Sequence, residues 1–189
     1  MSGRAARRAG RPVPRASASF PLDAAYSHAG IDPPHVEVID PARLPSRAAR
    51  LLVHGRTMTR ELERACGERV VLRPLWIGRA DGWYLRRVLL ARSSSGRPVE
   101  MGAMAVRLPD VPAPLRRQIV LAGAPLGRLL ADPRVYTIRP LAFLRIIPNA
   151  EMLGVFWLKH ARPLYGRQTE ILRNGRVIGH VVEVLPPGR

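Results

Sequence analysis

Two charged residue types stand where β-type patterning leaves little room for charge. In the run Trp83-Tyr84-Leu85-Arg86-Arg87-Val88-Leu89-Leu90, two adjacent arginines interrupt an apolar stretch. Successive side chains on a strand point to opposite faces, so one of Arg86 and Arg87 faces the core side and its neighbour faces away. A buried guanidinium is costly unless an anion meets it. In Val177-Ile178-Gly179-His180-Val181-Val182-Glu183-Val184-Leu185, Glu183 is the only acid. Two readings stay open on pattern alone. Arg86 and Glu183 form a structural ion pair or face solvent, or they flank a pocket. In a pocket the arginine would meet a bound anion.

Other chemistries lack their signatures. The chain has no GxGxxG, no phosphate loop, no HExxH, no CxxC and no GxSxG. His28, His35, His54, His160 and His180 are scattered without ligand spacing. No metal and no cofactor is expected. Cys66 is the lone cysteine, so neither an internal disulfide nor a thiolate metal cluster is available. That usage suits a reducing compartment, and a cytoplasmic location is expected.

The elements that position these residues can be read in order. Ser46 to Val53 and Thr57 to Cys66 predict two short helices, the second capped at Thr57 and stopped at Gly67. Val70 to Ile77, Tyr84 to Ala91 and Pro98 to Leu108 read as strands joined through Ala80-Asp81-Gly82 and Ser93-Ser94-Ser95-Gly96. Pro112 to Ala122 has helical spacing, Leu126 to Ala131 a second short helix. Val135 to Ile147 is strand-like with a break at Pro140, and Asn149 to His160 predicts a helix capped by Asn149. Arg167 to Leu172 and Val177 to Leu185 close a hairpin over Asn174-Gly175. These elements predict an α+β domain: an antiparallel sheet of about six strands with helices on one side.

The chain is 189 residues long and 47% apolar, enough for one ordinary domain. No stretch of 18 apolar residues occurs, so no transmembrane segment is expected. Residues 1–44 read as a basic, Pro-rich arm, disordered or extended, and residues 45–189 as the domain. The net charge is +17, and lysine contributes only Lys159. Such a surface favours anions of any kind. An Arg-rich nucleic-acid-binding protein is therefore a third reading. It lacks aromatic interleaving, with three Phe, four Tyr and three Trp, and only weak, sequence-indifferent binding is expected.

Five segments taken together resemble bacterial chorismate pyruvate-lyase, the family that forms 4-hydroxybenzoate. Trp83 to Leu90 resembles its Arg-bearing strand. Leu51-Leu52-Val53 with Thr57-Met58-Thr59-Arg60 resembles its N-terminal helix and Met-Thr turn. Ala124-Pro125-Leu126-Gly127-Arg128 is similar to its Pro-Leu-Gly loop, and Leu164-Tyr165-Gly166-Arg167 to its aromatic-Gly-Arg step. Gly175 through Glu183 to Pro186 resembles its last strand. The matches cover roughly residues 45–187, in order.

The resemblance implies a ligand enclosed beneath helical flaps. It implies Arg86 on a benzoate carboxylate, backbone amides of Met58 and Leu126 at the rim, and Glu183 at the ring hydroxyl. Arg86 and Glu183 are then the catalytic pair for eliminating pyruvate from chorismate, with a monomer expected. The C4 proton and the enolpyruvyl ether leave together, with Glu183 orienting the C4 hydroxyl or acting as base. The alternative implied by the same fold is a non-catalytic domain that binds a small aromatic carboxylate, since this fold also serves as the effector domain of some bacterial transcription regulators. The 44 residues before the domain are too few and too irregular for the helix-turn-helix those regulators carry. One departure concerns register: the count from the turn glycine to Glu183 differs by about one residue, and only a bulge would keep the carboxylate on the pocket face.

Overall fold

The structure, a computed structural model, describes residues 17–188. Two tight turns organise the sheet. Asp81-Gly82 and Asn174-Gly175 take paired left-handed angles (φ 48° and 79°, 49° and 76°), the form whose twist matches antiparallel strands. They join β2 (Val70–Ala80) to β3 (Trp83–Arg92), and β6 (Leu164–Arg173) to β7 (Arg176–Leu185). β4 (Pro98–Val106) follows β3, β5 (Tyr136–Ile147) precedes β6, and β1 (His35–Ile39) adds to the β5 edge. One sheet results, in the order β1-β5-β6-β7-β4-β3-β2, with every neighbouring pair antiparallel. The break expected at Pro140 is a register shift between Pro140 and Ala142.

The sheet carries seven strands rather than about six, and the added strand corrects the domain boundary. β1 and helix α1 (Leu22–His28) both fall within the expected arm of residues 1–44. Leu22 and Tyr26 are fully buried. The Phe20 ring packs edge-on against Trp83 and His180, with centroids 5.7 and 5.4 Å apart. The Gln168 amide donates to the carbonyls of Ser17 and Phe20 at 3.1 and 2.8 Å. Residues 17–44 therefore belong to the folded domain. The rest of the expected arm, residues 1–16, lies outside the described residues.

Helices cover both faces of the sheet, not one. On one face lie α2 (Ser46–Leu52), α3 (Met58–Cys66), α4 (Ala113–Leu121) and α5 (Leu126–Leu129). Leu52, Met58 and Leu62 pack there with Leu90 and Leu185, and Ile119 and Leu130 with Tyr84 and Met104. On the opposite face α1 and α6 (Ala150–Val155) bury Leu22, Tyr26, Met152 and Phe156 against Leu89, Met101, Val182 and Val184. The helix expected over Asn149 to His160 is short. Asn149 caps it, accepting from the Met152 N–H at 3.0 Å, and Trp157 at φ 58° ends it. Among the described residues no helix is long and apolar enough to cross a membrane.

Candidate functional site

Strand periodicity sets the site. Arg86 pairs with Met104, and Met104 with Val181, while Val88 pairs with Gly102, Gly102 with Glu183, and Glu183 with Arg167. These two rows share the face beneath α3, α4 and α5. Arg86 and Glu183 thus stand two strands apart and one row offset, roughly 12 Å between Cα atoms from ideal sheet spacings. They do not pair with each other. Both line one cavity, together with Met58 of α3 and Leu126 of α5. About 550 Å³ of space lies between these residues, counted out to the open mouth.

The register into Glu183 needs the bulge anticipated from the sequence, and the bulge is present. Ile171 pairs with Gly179 and Leu172 with Val177, so Ile178 is an extra residue on β7. It returns Glu183 to the cavity face.

Arg86 is 1% exposed and meets no carboxylate among the described residues. Its Nη1 donates to the Ile119 carbonyl at 3.1 Å, at the C-terminal end of α4, and its Nε has no partner. Burial pulls its basicity down, with the Tyr84 hydroxyl side opposing.

Glu183 is already engaged. Arg167, fully buried, brings its Nε to Glu183 Oε2 at 2.6 Å. A second carboxyl group, Glu100 on β4, lines the same cavity. It is 4% exposed and makes no ion pair, and its Oε2 has no hydrogen-bond partner. Burial, then the neighbouring Glu183, push its pKa well above the usual carboxylate range.

The lid consists of the first turns of α3 and α5, whose leading N–H groups have no partner within the helix. They meet closely at Gly127, where an added Cβ would sit 2.7 Å from Thr59 Oγ1 and 2.9 Å from Thr57 Cβ. Arg128 on α5 forms an ion pair with Glu63 on α3, fastening the two lids together. Behind α3, the loop from Val53 to Thr57 is held by Arg167, which donates to the carbonyls of Leu52, His54 and Arg56 at 3.0, 2.6 and 3.0 Å.

Two site residues escaped the sequence reading. Glu100 is the only acid in the apolar run Val99 to Val106, the same signal that singles out Glu183. Arg167 gives no such signal, since Gln168, Thr169 and Glu170 follow it. Arg87 points to the opposite face, as alternation requires, yet it is as buried as Arg86. It pairs with Glu151 of α6 at 2.6 Å and stacks over the Tyr26 ring of α1, 3.9 Å from the centroid. Among the described residues, no cluster of three or more His, Cys, Asp or Glu is placed to hold a metal.

No protein-family model matches the chain, and no curated protein matches it in sequence. Solved structures share its fold. A GntR-family transcriptional regulator superposes with a TM-score of 0.52 at 13% identity, over 71% of this chain and 64% of that one. The matched part therefore spans less than two thirds of that regulator. The ligand-binding domain of a GntR-family regulator from Bordetella bronchiseptica gives 0.42 at 13% identity, over 61% and 83% of the two chains. The C-terminal domain of the histidine utilization repressor from Pseudomonas syringae pv. tomato str. DC3000 gives 0.44 at 11%, over 64% and 98%. The α+β architecture expected from the sequence is thus the observed one, and it is shared with the first-named GntR-family regulator.

Proposed function

We propose that the protein binds a small aromatic carboxylate in the cavity between the sheet and helices α3 and α5, with Arg86 receiving the carboxylate. The observation that carries this is a guanidinium 1% exposed with no carboxylate partner among the described residues. A buried cation of this kind is stabilised only when an anion arrives. Glu183, already held by Arg167, takes the far end of the ligand. The sequence resemblance suggests 4-hydroxybenzoate as the first probe. Arg86→Ala should weaken its binding by about 2–5 kcal/mol, the scale for removing one partner of a buried charge pair. Arg86→Met should also abolish tight binding but raise the melting temperature, because it removes an unpaired buried charge and keeps the volume. An Arg86→Met protein that melts lower and binds normally would sink the proposal.

A second reading, turnover, is favoured by one observation: the four positions carried over from the lyase resemblance line a single cavity. Under it the cavity takes chorismate, the C4 proton leaves, the C3–oxygen bond to the enolpyruvyl group breaks, and the released enolpyruvate takes up a proton at its methylene carbon, so that 4-hydroxybenzoate and pyruvate form. Glu183 acts as base or orients the C4 hydroxyl. Incubating the purified protein with chorismate separates the readings. Pyruvate and 4-hydroxybenzoate released together support the lyase. Saturable 4-hydroxybenzoate binding with no release leaves a binding domain.

A further inference from the structure

We infer that Glu100 selects for a hydroxyl group on the ligand: it donates a hydrogen bond to the same oxygen that donates to Glu183. The cavity then takes a hydroxylated aromatic carboxylate in preference to an unsubstituted or amino-substituted one. This deepens the reading of Arg86 as the carboxylate partner and rests on it.

The argument starts from what surrounds Glu100. Its side chain lines the cavity among Leu72, Val88 and Leu90, it is 4% exposed, and among the described residues it makes no ion pair. Arg167, the cation that faces Glu183, is committed to Glu183 and to three backbone carbonyls. A carboxyl group in such a place keeps its proton. A neutral carboxylic acid is a donor, whereas Glu183 beside Arg167 is an acceptor. The two stand on neighbouring strands: Gly102 pairs with Glu183, and Leu90 with Glu100. They are diagonal neighbours on one face, roughly 7–8 Å apart at Cα, a separation that two glutamate side chains span. Gly102 keeps the space open, since a Cβ there would lie 3.0 Å from Glu100 Oε1.

A ring hydroxyl fits this pair. It has one proton for Glu183 and free lone pairs for Glu100, so both groups are satisfied by one atom. An aniline nitrogen offers only donors and leaves the Glu100 proton unmet. An unsubstituted ring leaves both carboxyl groups unmet. Buried polar groups left unpaired are the main source of such discrimination.

The test titrates the full-length protein with benzoate, 4-hydroxybenzoate and 4-aminobenzoate. The wild type should prefer 4-hydroxybenzoate over benzoate by about 10- to 100-fold. In Glu100→Leu that preference should shrink to about threefold, while benzoate affinity holds or rises. Glu100→Gln, whose amide still donates, should keep most of the preference. A thermal melt at or above the wild-type value shows that Glu100→Leu is folded. An undiminished preference in Glu100→Leu overturns the inference, as does 4-aminobenzoate binding as tightly as 4-hydroxybenzoate. Benzoate affinity that ignores Arg86→Ala overturns the carboxylate reading instead and leaves the Glu100 comparison legible. A wild type that binds none of the three overturns both.

Discussion

Arg167 and Glu183 face each other across β6 and β7, with Arg167 Nε 2.6 Å from Glu183 Oε2. Through its remaining N–H groups Arg167 also holds the loop that leads into α3. One buried side chain thus couples a wall of the cavity to its lid. Arg167→Ala should cost about 3–5 kcal/mol of stability, because it leaves the Glu183 charge uncompensated. Arg167→Lys should recover little, since an ammonium cannot reach four acceptors in a fork. Denaturant unfolding of both variants checks this. Equal stability of Arg167→Lys and wild type would show that charge alone suffices.

Arg87 makes the contrasting case. Alternation alone suggests that its loss does little, because Arg86 occupies the cavity face. The structure corrects that expectation. Arg87 joins α6, through Glu151, and α1, through Tyr26, to the back of the sheet. Arg87→Ala should destabilise by about 3–5 kcal/mol, by stranding Glu151 and opening space under two helices. Binding measured well below the lowered melting temperature should stay near wild type. A large affinity loss with unchanged stability would place Arg87, not Arg86, at the ligand.

Stability should depend on pH in two opposed ways. His54 is held below the usual histidine range, first by burial and then by Arg167. Its Nε2 lies 2.8 Å from the Leu51 carbonyl and so donates, while Nδ1 accepts from Arg167 and from the Arg56 N–H. His180 is lowered by burial too. For both, the folded state binds its proton less readily than the unfolded state, so their stability is present above pH about 6.5 and is lost as pH falls below it. Glu100 has the reverse sign. Its raised pKa means stability is present below pH about 4.5 and is lost as pH rises through its folded value. Melting temperature measured from pH 5 to 9 should therefore lose part of its acid-side fall in His54→Gln, the rest remaining with His180. It should lose part of its alkaline-side fall in Glu100→Gln. Parallel curves for all three proteins would contradict both assignments.

The parts of the site that were legible in the sequence share one property. Arg86 and Glu183 are charges inside apolar runs, and strand alternation sends such charges inward. Glu100 carries the same mark, but the small residues Gly102, Ala103 and Ala105 around it made the run read as plain packing. Arg167 could not be found this way. Its burial comes from a loop more than a hundred residues earlier folding over it. β1 was hidden for a related reason. His35 to Ile39 is short, follows Asp32-Pro33-Pro34, and becomes a strand only because β5 offers its edge.

The last prediction concerns the lid. Gly127 sits where α5 meets the start of α3, and a methyl group there would lie within 3.1 Å of Thr59 Cβ as well as against Thr59 Oγ1 and Thr57 Cβ. Its backbone needs no left-handed angle, so the constraint is space alone. Gly127→Ala must push α5 away from α3, straining the Arg128–Glu63 pair that joins them. The cost should be about 1–3 kcal/mol, the range for overpacking. The sheet, with Arg86 and Glu183 on it, is untouched, so 4-hydroxybenzoate should still bind but leave faster, with the loss falling on dissociation rather than association. Thr59→Ala removes the nearest obstructing atom, so the double variant should recover part of both stability and residence time. That recovery would appear as a coupling of about 0.5–3 kcal/mol in a double-mutant cycle. Strict additivity would mean that the two lids do not press on each other at Gly127.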